Sequence, residues 1–172
     1  MNTKGQFFSP DLVIAIGIFI FTLALFWVAS NAIFGQIDLF NNRIETDEIA
    51  HLILNSLVLS SGQPNNWENY ALDDINSFGL VHSNNILDSN KIISLVGLLN
   101  SSDYDVVKKK LGAGRYALQL NVLDSSGGII LVPSSLSGGQ IVSEPIIKVT
   151  YNRIVYFNSE QVLLQLILSI EE

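Results

Sequence analysis

The chain has 172 residues, 16 of them acidic and nine basic, and a formal net charge of −7. It has no cysteine, which excludes disulfides, thiolate metal sites and a cysteine nucleophile. Its few basic residues form no patch large enough to follow a phosphate backbone, so we expect no nucleic-acid partner.

The chain opens with a long apolar segment. From Leu12 to Phe34 there are 23 residues without a charge, and a helix of that length spans ~35 Å, enough to cross the hydrocarbon core of a membrane. Ser9-Pro10-Asp11 is typical of a helix start, with Ser as N-cap, Pro at the first helical position and an acid in the first turn. A secretory signal has a shorter apolar core of ~7–15 residues, so we expect a transmembrane helix; cleavage at Ser30-Asn31-Ala32 is the alternative.

The charges beside this segment slightly favour one orientation of the predicted helix across the membrane. Lys4 and the α-amine lie on its N-terminal side and Arg43 on the far side. Basic residues favour the cytoplasmic side of a membrane. We expect a single pass with the N-terminus in the cytoplasm and the C-terminal domain outside the cell membrane.

Apolar residues continue beyond the segment at steps of three and four, with charged residues between them. They are Ile33, Ile37, Phe40, Ile44, Ile49, Leu52, Ile53 and Leu57. We predict one helix from about Pro10 to about Leu59, apolar all round in its first half and amphipathic in its second. Two helices broken at Gly35 are the alternative.

The stretch from Ser60 to Tyr70, SSGQPNNWENY, contains several residues that break helices and strands. We interpret Gly62, Pro64 and Trp67 as a turn that redirects the chain, with Trp67 packed on the long helix; a recognition surface is the alternative. Two short helices follow, one capped by Asp88 and one opened by a capping box from Ser102 to Asp105 and ending near Lys110.

After Gly114 the hydrophobic period changes to two, which is typical of β-strands. The pattern predicts strands over residues 116–122, 129–132, 146–157 and 161–170, the last two joined by a hairpin turn at Asn158-Ser159-Glu160. The predicted fold class is α+β, with about four antiparallel strands covered by the amphipathic half of the long helix.

No catalytic, cofactor or metal site is predicted. His51 and His82 are far apart in sequence and have no paired His or Cys spacing. No motif marks a serine nucleophile, so we expect a protein that is not an enzyme. Asn100-Ser101-Ser102 is an N-glycosylation sequon, which makes Asn100 a candidate acceptor if the domain lies outside the cell.

This architecture, together with the opening KGQFFSPD, resembles the archaeal type IV pilin-like proteins. Lys4-Gly5-Gln6 is similar to a class III, prepilin-type leader, which implies cleavage between Gly5 and Gln6 by a prepilin peptidase. A segment that recurs in such proteins is similar to four pieces of this chain: Gly62-x-Pro64-x-x-Trp67, Phe78 to Leu95, Tyr104-x-x-Val107-Lys108 and Leu111-Gly112. Bacterial type IV pilins have a glutamate at the fifth mature residue, which pairs with the N-terminal amine of a neighbour. Counted from Gln6, the fifth residue here is Pro10, and Asp11 comes sixth. Asp11 is therefore either an assembly contact or an acid that favours the helix start.

The resemblance implies three regions: a leader over residues 1–5, a transmembrane or filament-core helix over 6–34, and an extracytoplasmic α+β domain over 35–172. It also implies a structural role in, or accessory to, a cell-surface filament, with the lipid membrane and other pilin subunits, identical or different, as partners. The alternative is a single-pass membrane protein that is not cleaved, does not polymerise, and binds a ligand or partner through its outer domain.

Overall fold

The computed structural model describes residues 10–83, 86–131 and 135–170, and the predicted N-cap Ser9 and the predicted cleavage residues Gly5 and Gln6 lie outside them. The helices are α1 (Pro10–Leu59), α2 (Ser89–Leu99) and α3 (Tyr104–Lys110), with 3₁₀ turns at Trp67–Asn69 and Leu72–Asp74. The strands are β1 (Val81–Ser83), β2 (Ile86–Leu87), β3 (Ala117–Leu123), β4 (Ser137–Gly139), β5 (Ile147–Phe157) and β6 (Glu160–Ile170). The fold is α+β, as predicted.

Helix α1 runs from Pro10 to Leu59 without a break at Gly35, so the predicted single helix is confirmed. Its contacts divide the chain into two units that meet between Asn41 and Asn42. In the first unit, the side chains of residues 10–34 are exposed, apart from half-buried Ser30. In the second unit, α1 buries one stripe, formed by Thr46, Ala50, Ile53, Leu54, Leu57 and Val58.

The apolar positions predicted for this stripe are only partly right. Ile53 and Leu57 are buried, but Ile44 and Leu52 are 49% and 60% exposed. At 100° per residue, these two lie roughly 140° around the helix from Leu57. Thr46 takes an inward position instead, and its hydroxyl donates to the backbone carbonyl of Asn42 at 2.6 Å. A polar residue can occupy the buried stripe because the helix itself supplies its hydrogen-bond acceptor.

The sheet has six strands in the order β1-β2-β5-β6-β3-β4. All neighbours pair antiparallel except β2 and β5, which pair in parallel through Ile86 and Tyr156. The predicted count of about four antiparallel strands was therefore too low. Strands β1, β2 and β4 have two or three residues each, too few to show a period of two.

One predicted strand, over residues 129–132, was wrong within the described residues. Ile129 forms only an isolated bridge with Leu123. On the edge of β3 away from β6, the paired strand is β4, where Asn121 lies opposite Ser137. The N–H of Ile130 donates to the carbonyl of Val122, and the N–H of Val122 donates to the carbonyl of Leu136, so both residues lie beside β3.

The hairpin of β5 and β6 turns where predicted. Phe157 pairs with Glu160, so the loop has two residues, Asn158 and Ser159, with φ of 49° and 69°. Two successive positive φ values match the type I′ turn, whose twist suits the flanking strands. Glu160, predicted as part of the turn, is instead the first residue of β6.

The core of the second unit lies on one face of the sheet. Leu118, Leu120 and Val122 of β3 pair in register with Leu168, Leu166 and Leu164 of β6, and all six are buried. They share one apolar cluster with the apolar members of the buried stripe of α1 and with Ile92, Leu95 and Leu99 of α2. Burying a leucine contributes about 1.5–3 kcal/mol, so this cluster is the main stabilising feature of the unit.

The starts of α2 and α3 differ in their capping. A carboxylate oxygen of Asp88 accepts from the backbone N–H groups of Asn90 and Lys91, so the predicted cap of α2 is confirmed. The predicted capping box from Ser102 was wrong, because α3 starts at Tyr104 and its N-cap residue, Asp103, forms no side-chain cap. The hydroxyl of Ser101 accepts from the N–H of Asp103 instead.

Candidate functional site: the exposed apolar helix

The most distinctive surface of the first unit is the segment Pro10–Phe34. It has 25 residues, and its most apolar stretch of 18 residues has a mean hydropathy of 2.8 and is 0% buried. Phe19, Phe21, Phe26 and Trp27 are each 64–73% exposed. Soluble monomers rarely expose a large contiguous apolar patch. By length and composition this helix is able to cross a membrane, although a signal sequence near an N-terminus has the same properties.

Small residues lie on two sides of this helix. At 100° per residue, Ala15 and Ala29 lie on one side, and Gly17 and Ala24 lie roughly opposite. A Cβ added at Gly17 would contact nothing within 4 Å. Small residues let helix backbones approach closely in an apolar environment, so two sides of this helix can receive another helix.

Asp11 is an exposed acidic residue in the first turn of α1. A carboxylate in this position interacts favourably with the free N–H groups and the positive end of the helix dipole. The same exposure leaves Asp11 accessible to a cation from another molecule.

Trp67 is placed in the interior of the second unit. It has no accessible surface, and its indole Nε1–H donates to the carbonyl of Gly79 at 2.8 Å. Its ring meets Phe78 edge to face, with centroids 5.0 Å apart. Gly62 has a φ of +85°, and a Cβ there would overlap the Trp67 ring. Pro64, half-exposed, follows Gln63 through a cis peptide bond. Trp67 and Gly62 therefore form one packed turn.

Two lysines donate to backbone carbonyls of the same loop, which sequence reasoning missed. The buried Lys91 donates through Nζ to the carbonyl of Ser61 at 2.7 Å. Lys110 donates to the carbonyls of Leu72 and Ile75, each at 2.7 Å. These partners lie more than thirty positions away, and no local pattern identifies them.

Asn100, the residue of the sequon, bonds to the edge of the sheet. Its Nδ2 donates to the carbonyl of Ser137 at 3.0 Å, and its Oδ1 accepts from the N–H of Gly139 at 3.1 Å. These two groups belong to alternate residues of β4, whose other backbone groups pair with β3. The carboxamide therefore makes the two hydrogen bonds that a neighbouring strand would make, which protects this edge.

We predict that Asn100→Ala lowers the free energy of unfolding by about 1–2 kcal/mol, because two hydrogen bonds to the backbone of an edge strand are lost. Ser102→Ala is the matched control, since it removes the same sequon and leaves both bonds of Asn100 intact. Urea unfolding of both variants measures the effect. Equal stability of the two variants would show that the edge contacts contribute nothing.

The histidines occupy separate environments. The Nδ1 of His51 lies 3.0 Å from the Nδ2 of Asn55, and the Nδ1 of His82 lies 3.8 Å from a carboxylate oxygen of Asp88. Among the described residues, no group of three or more His, Cys, Asp or Glu side chains is placed to hold a metal ion.

A cleft of about 600 Å³ lies between the 124–131 loop and the β5–β6 turn, with Asp124 and Glu160 in its wall. The Asp124 carboxylate accepts from the Ser126 hydroxyl at 2.6 Å and from the N–H groups of Gly128 and Ser126, and these bonds lower its pKa. A carboxylate with this many donors is stabilised in its charged form. It is therefore poorly suited to act as a general acid.

Comparison with protein-family profiles, with curated proteins and with solved structures finds no match for this chain.

Proposed function

We propose that this chain is a membrane-anchored type IV pilin-like subunit, processed by a prepilin peptidase and built into, or accessory to, a cell-surface filament. The observation that carries the proposal is α1. One continuous helix of 50 residues is apolar over Pro10–Phe34, where the side chains are exposed apart from half-buried Ser30, and its later turns belong to the core of an α+β unit.

A helix that is apolar all round suits two environments in succession. In the membrane, lipid surrounds it on every side. Once it leaves the membrane, its apolar surface is stable in water only when other apolar helices cover it. The small residues on two sides of the helix, Ala15 and Ala29 opposite Gly17 and Ala24, allow neighbouring subunits to approach closely.

In this proposal the leader over residues 1–5 is removed by cleavage between Gly5 and Gln6. The new N-terminus at Gln6 then lies five positions before Asp11. Attraction between a neighbour's N-terminal amine and Asp11 would align subunits in an apolar surrounding, where charge pairs are strong. The role is structural and involves no catalysis by this chain.

The test is the mass of the mature chain after co-expression with a prepilin peptidase. We expect wild type to begin at Gln6, and Gly5→Val to remain at full length because the bulkier residue blocks the cleavage position. Gly17→Val is the matched control, since it changes a glycine in open space beyond the cut and should leave processing intact.

A native N-terminus at Met1 would favour the alternative, an uncleaved single-pass protein with a partner-binding outer domain. One at Ile33 would indicate a secretory signal. Electron microscopy of sheared cell surfaces then separates a filament subunit from a processed protein that does not polymerise.

A further inference from the structure

Strand β5 has a long edge that no other described strand covers. It pairs with β6 along its whole length, Ile147–Phe157, but with β2 only through Tyr156 and Ile86. Native proteins usually shorten, cover or block such an edge, because its unpaired backbone groups are a template for another strand. The part of β5 before Tyr156 is therefore the feature of the sheet that needs an explanation.

The hairpin turn determines which backbone groups point to this edge. In a two-residue type I′ turn, the residues that flank the loop, Phe157 and Glu160, bond to each other. Successive residues of β5 then bond to alternate sides, because this is the pattern of an antiparallel strand. The residues whose N–H and carbonyl groups point away from β6 are Lys148, Thr150, Asn152 and Ile154. No backbone hydrogen bond between described residues uses these groups.

Both faces of the sheet are open beside this edge. On the outer face the side chains of the same four edge residues are exposed, and that of Ile154 is 64% exposed. On the inner face Tyr151 and Arg153 are only half-buried, although the inward-facing Val149 and Val155 of the same strand are buried. A strand added at this edge would therefore cover Tyr151 and Arg153 as well as pair the free backbone groups.

The charges along this edge favour an acidic partner. Lys148 lies on the outer face and Arg153 on the inner face, and neither forms an ion pair with an acidic residue that the structure describes. Arg153 donates through Nη1 to the Oδ1 of Asn55 at 3.1 Å, a neutral partner. Opposite charges on neighbouring strands stabilise their pairing. A second copy of the chain would bring two more cations to the edge, whereas an acidic strand would neutralise both.

We propose that the free edge of β5 binds an extended acidic segment of a partner protein as an additional strand of the sheet. Backbone hydrogen bonds to the four edge residues would hold the segment, and its side chains would provide selectivity. Lys148 and Arg153 are five positions apart and on opposite faces, so the acids that pair with them should also be five positions apart. The inference does not depend on leader processing or on filament formation.

The test uses a synthetic peptide and hydrogen exchange of the full-length chain in non-ionic detergent micelles. The peptide has about eight residues, enough to span the edge at ~3.3 Å per residue, with two glutamates five positions apart and threonine and valine elsewhere. We expect it to slow the exchange of the N–H groups of the four edge residues at least tenfold, because these groups become hydrogen-bonded. The N–H groups of the intervening Val149, Tyr151 and Arg153 already face β6, so their exchange should change much less.

Two N-methylated peptides separate strand addition from attraction between charges. Each has N-methyl groups on alternate residues and keeps both glutamates. One therefore loses the N–H groups that would face β5, and the other loses those that would face away from it. We expect only the second to slow exchange at the edge.

Variants of the chain test the role of the two cations. Lys148→Gln and Arg153→Gln each remove one charge, and we expect peptide binding to be about two- to fivefold weaker, in line with an exposed charge pair. Lys109→Gln is the matched control, since it removes an exposed cation from α3 and should leave binding unchanged. A thermal unfolding curve for each variant shows that the domain is folded.

Equal protection by the two N-methylated peptides, or equal binding by the two β5 variants and the control, would overturn the proposal. No protection by the unmodified peptide at its solubility limit would also overturn it. Exchange at the edge residues that becomes slower with protein concentration, without peptide, would contradict the proposal in a third way, because a second copy would then occupy the edge.

Discussion

The Gly79→Ala variant is expected to have a much less stable α+β domain. A Cβ at position 79 would overlap the carbonyl of Ser60 and the backbone N of Gly62. These are backbone atoms, so no rotation of a side chain can relieve the overlap, and the two chain segments must move apart.

Separation of these segments would break the connection between the end of α1 and the rest of the domain. The N–H of Leu80 bonds to the carbonyl of Leu57 at 2.9 Å, and the N–H of Val81 bonds to the carbonyl of Ser60 at 3.3 Å. The carbonyl of Gly79 also holds the Trp67 indole. We expect a loss of about 3 kcal/mol or more, a large part of the ~5–15 kcal/mol that stabilises a typical domain.

The measurement is urea unfolding of the full-length chain in micelles, followed by the fluorescence of Trp67 in a Trp27→Phe background. Gly97→Ala is the matched control, because it adds the same methyl group in α2 where nothing lies within 4 Å. Alanine is a better helix former than glycine, so the control should be neutral or more stable by up to ~1 kcal/mol. Equal unfolding midpoints for both variants would show that the close approach at Gly79 is tolerated.

The second large effect is expected for Trp67→Ala, which should cost about 3–5 kcal/mol. The side chain is fully buried, packs edge to face on Phe78 and donates to Gly79. Its removal leaves a cavity between the 60–79 loop and α2 and an unpaired carbonyl. Trp67→Phe separates the two contributions, since it keeps an aromatic ring but has no donor for Gly79, and it should cost less than Trp67→Ala.

Hydrogen exchange of the β3 and β6 amides measures this effect without a tryptophan signal, because core strands exchange through global unfolding. The protection of both strands should fall by the same factor in Trp67→Ala and by a smaller factor in Trp67→Phe. A loss of protection confined to the 60–79 loop would contradict the expectation, because it would mean that Trp67 stabilises that loop alone.

Much of the secondary structure was predictable because it depends on near neighbours in the chain. The bounds of α1, Pro10 to Leu59, follow from a proline that starts a helix and a glycine-proline stretch that ends it. Asp88 caps α2 through N–H groups two and three residues away. The β5–β6 turn depends on two residues, Asn158 and Ser159, that adopt positive φ.

The candidate site likewise has features that were predictable from the local sequence and features that were not. The apolar surface of Pro10–Phe34 is evident from composition, since it needs no partner to define it. The bonds of Asn100 to β4 and of Lys110 to Leu72 could not be predicted, because they join residues more than thirty positions apart. Trp67 was expected to pack on the long helix; in the structure it packs edge to face on Phe78 and donates to Gly79, and its turn lies beside α2.

The sequence by itself therefore determined that this protein has a long helix, apolar all round at first, followed by an α+β domain. Hydrophobic period, charge and capping residues act over a few positions, and each can be recognised in a short window. Only the tertiary structure decided which stripe of α1 is buried, that β2 joins β5 in parallel, and that Gly62, Trp67 and Gly79 pack together. Those outcomes depend on contacts between segments that are far apart in the chain. The free energy of those contacts cannot be read from a short window of sequence.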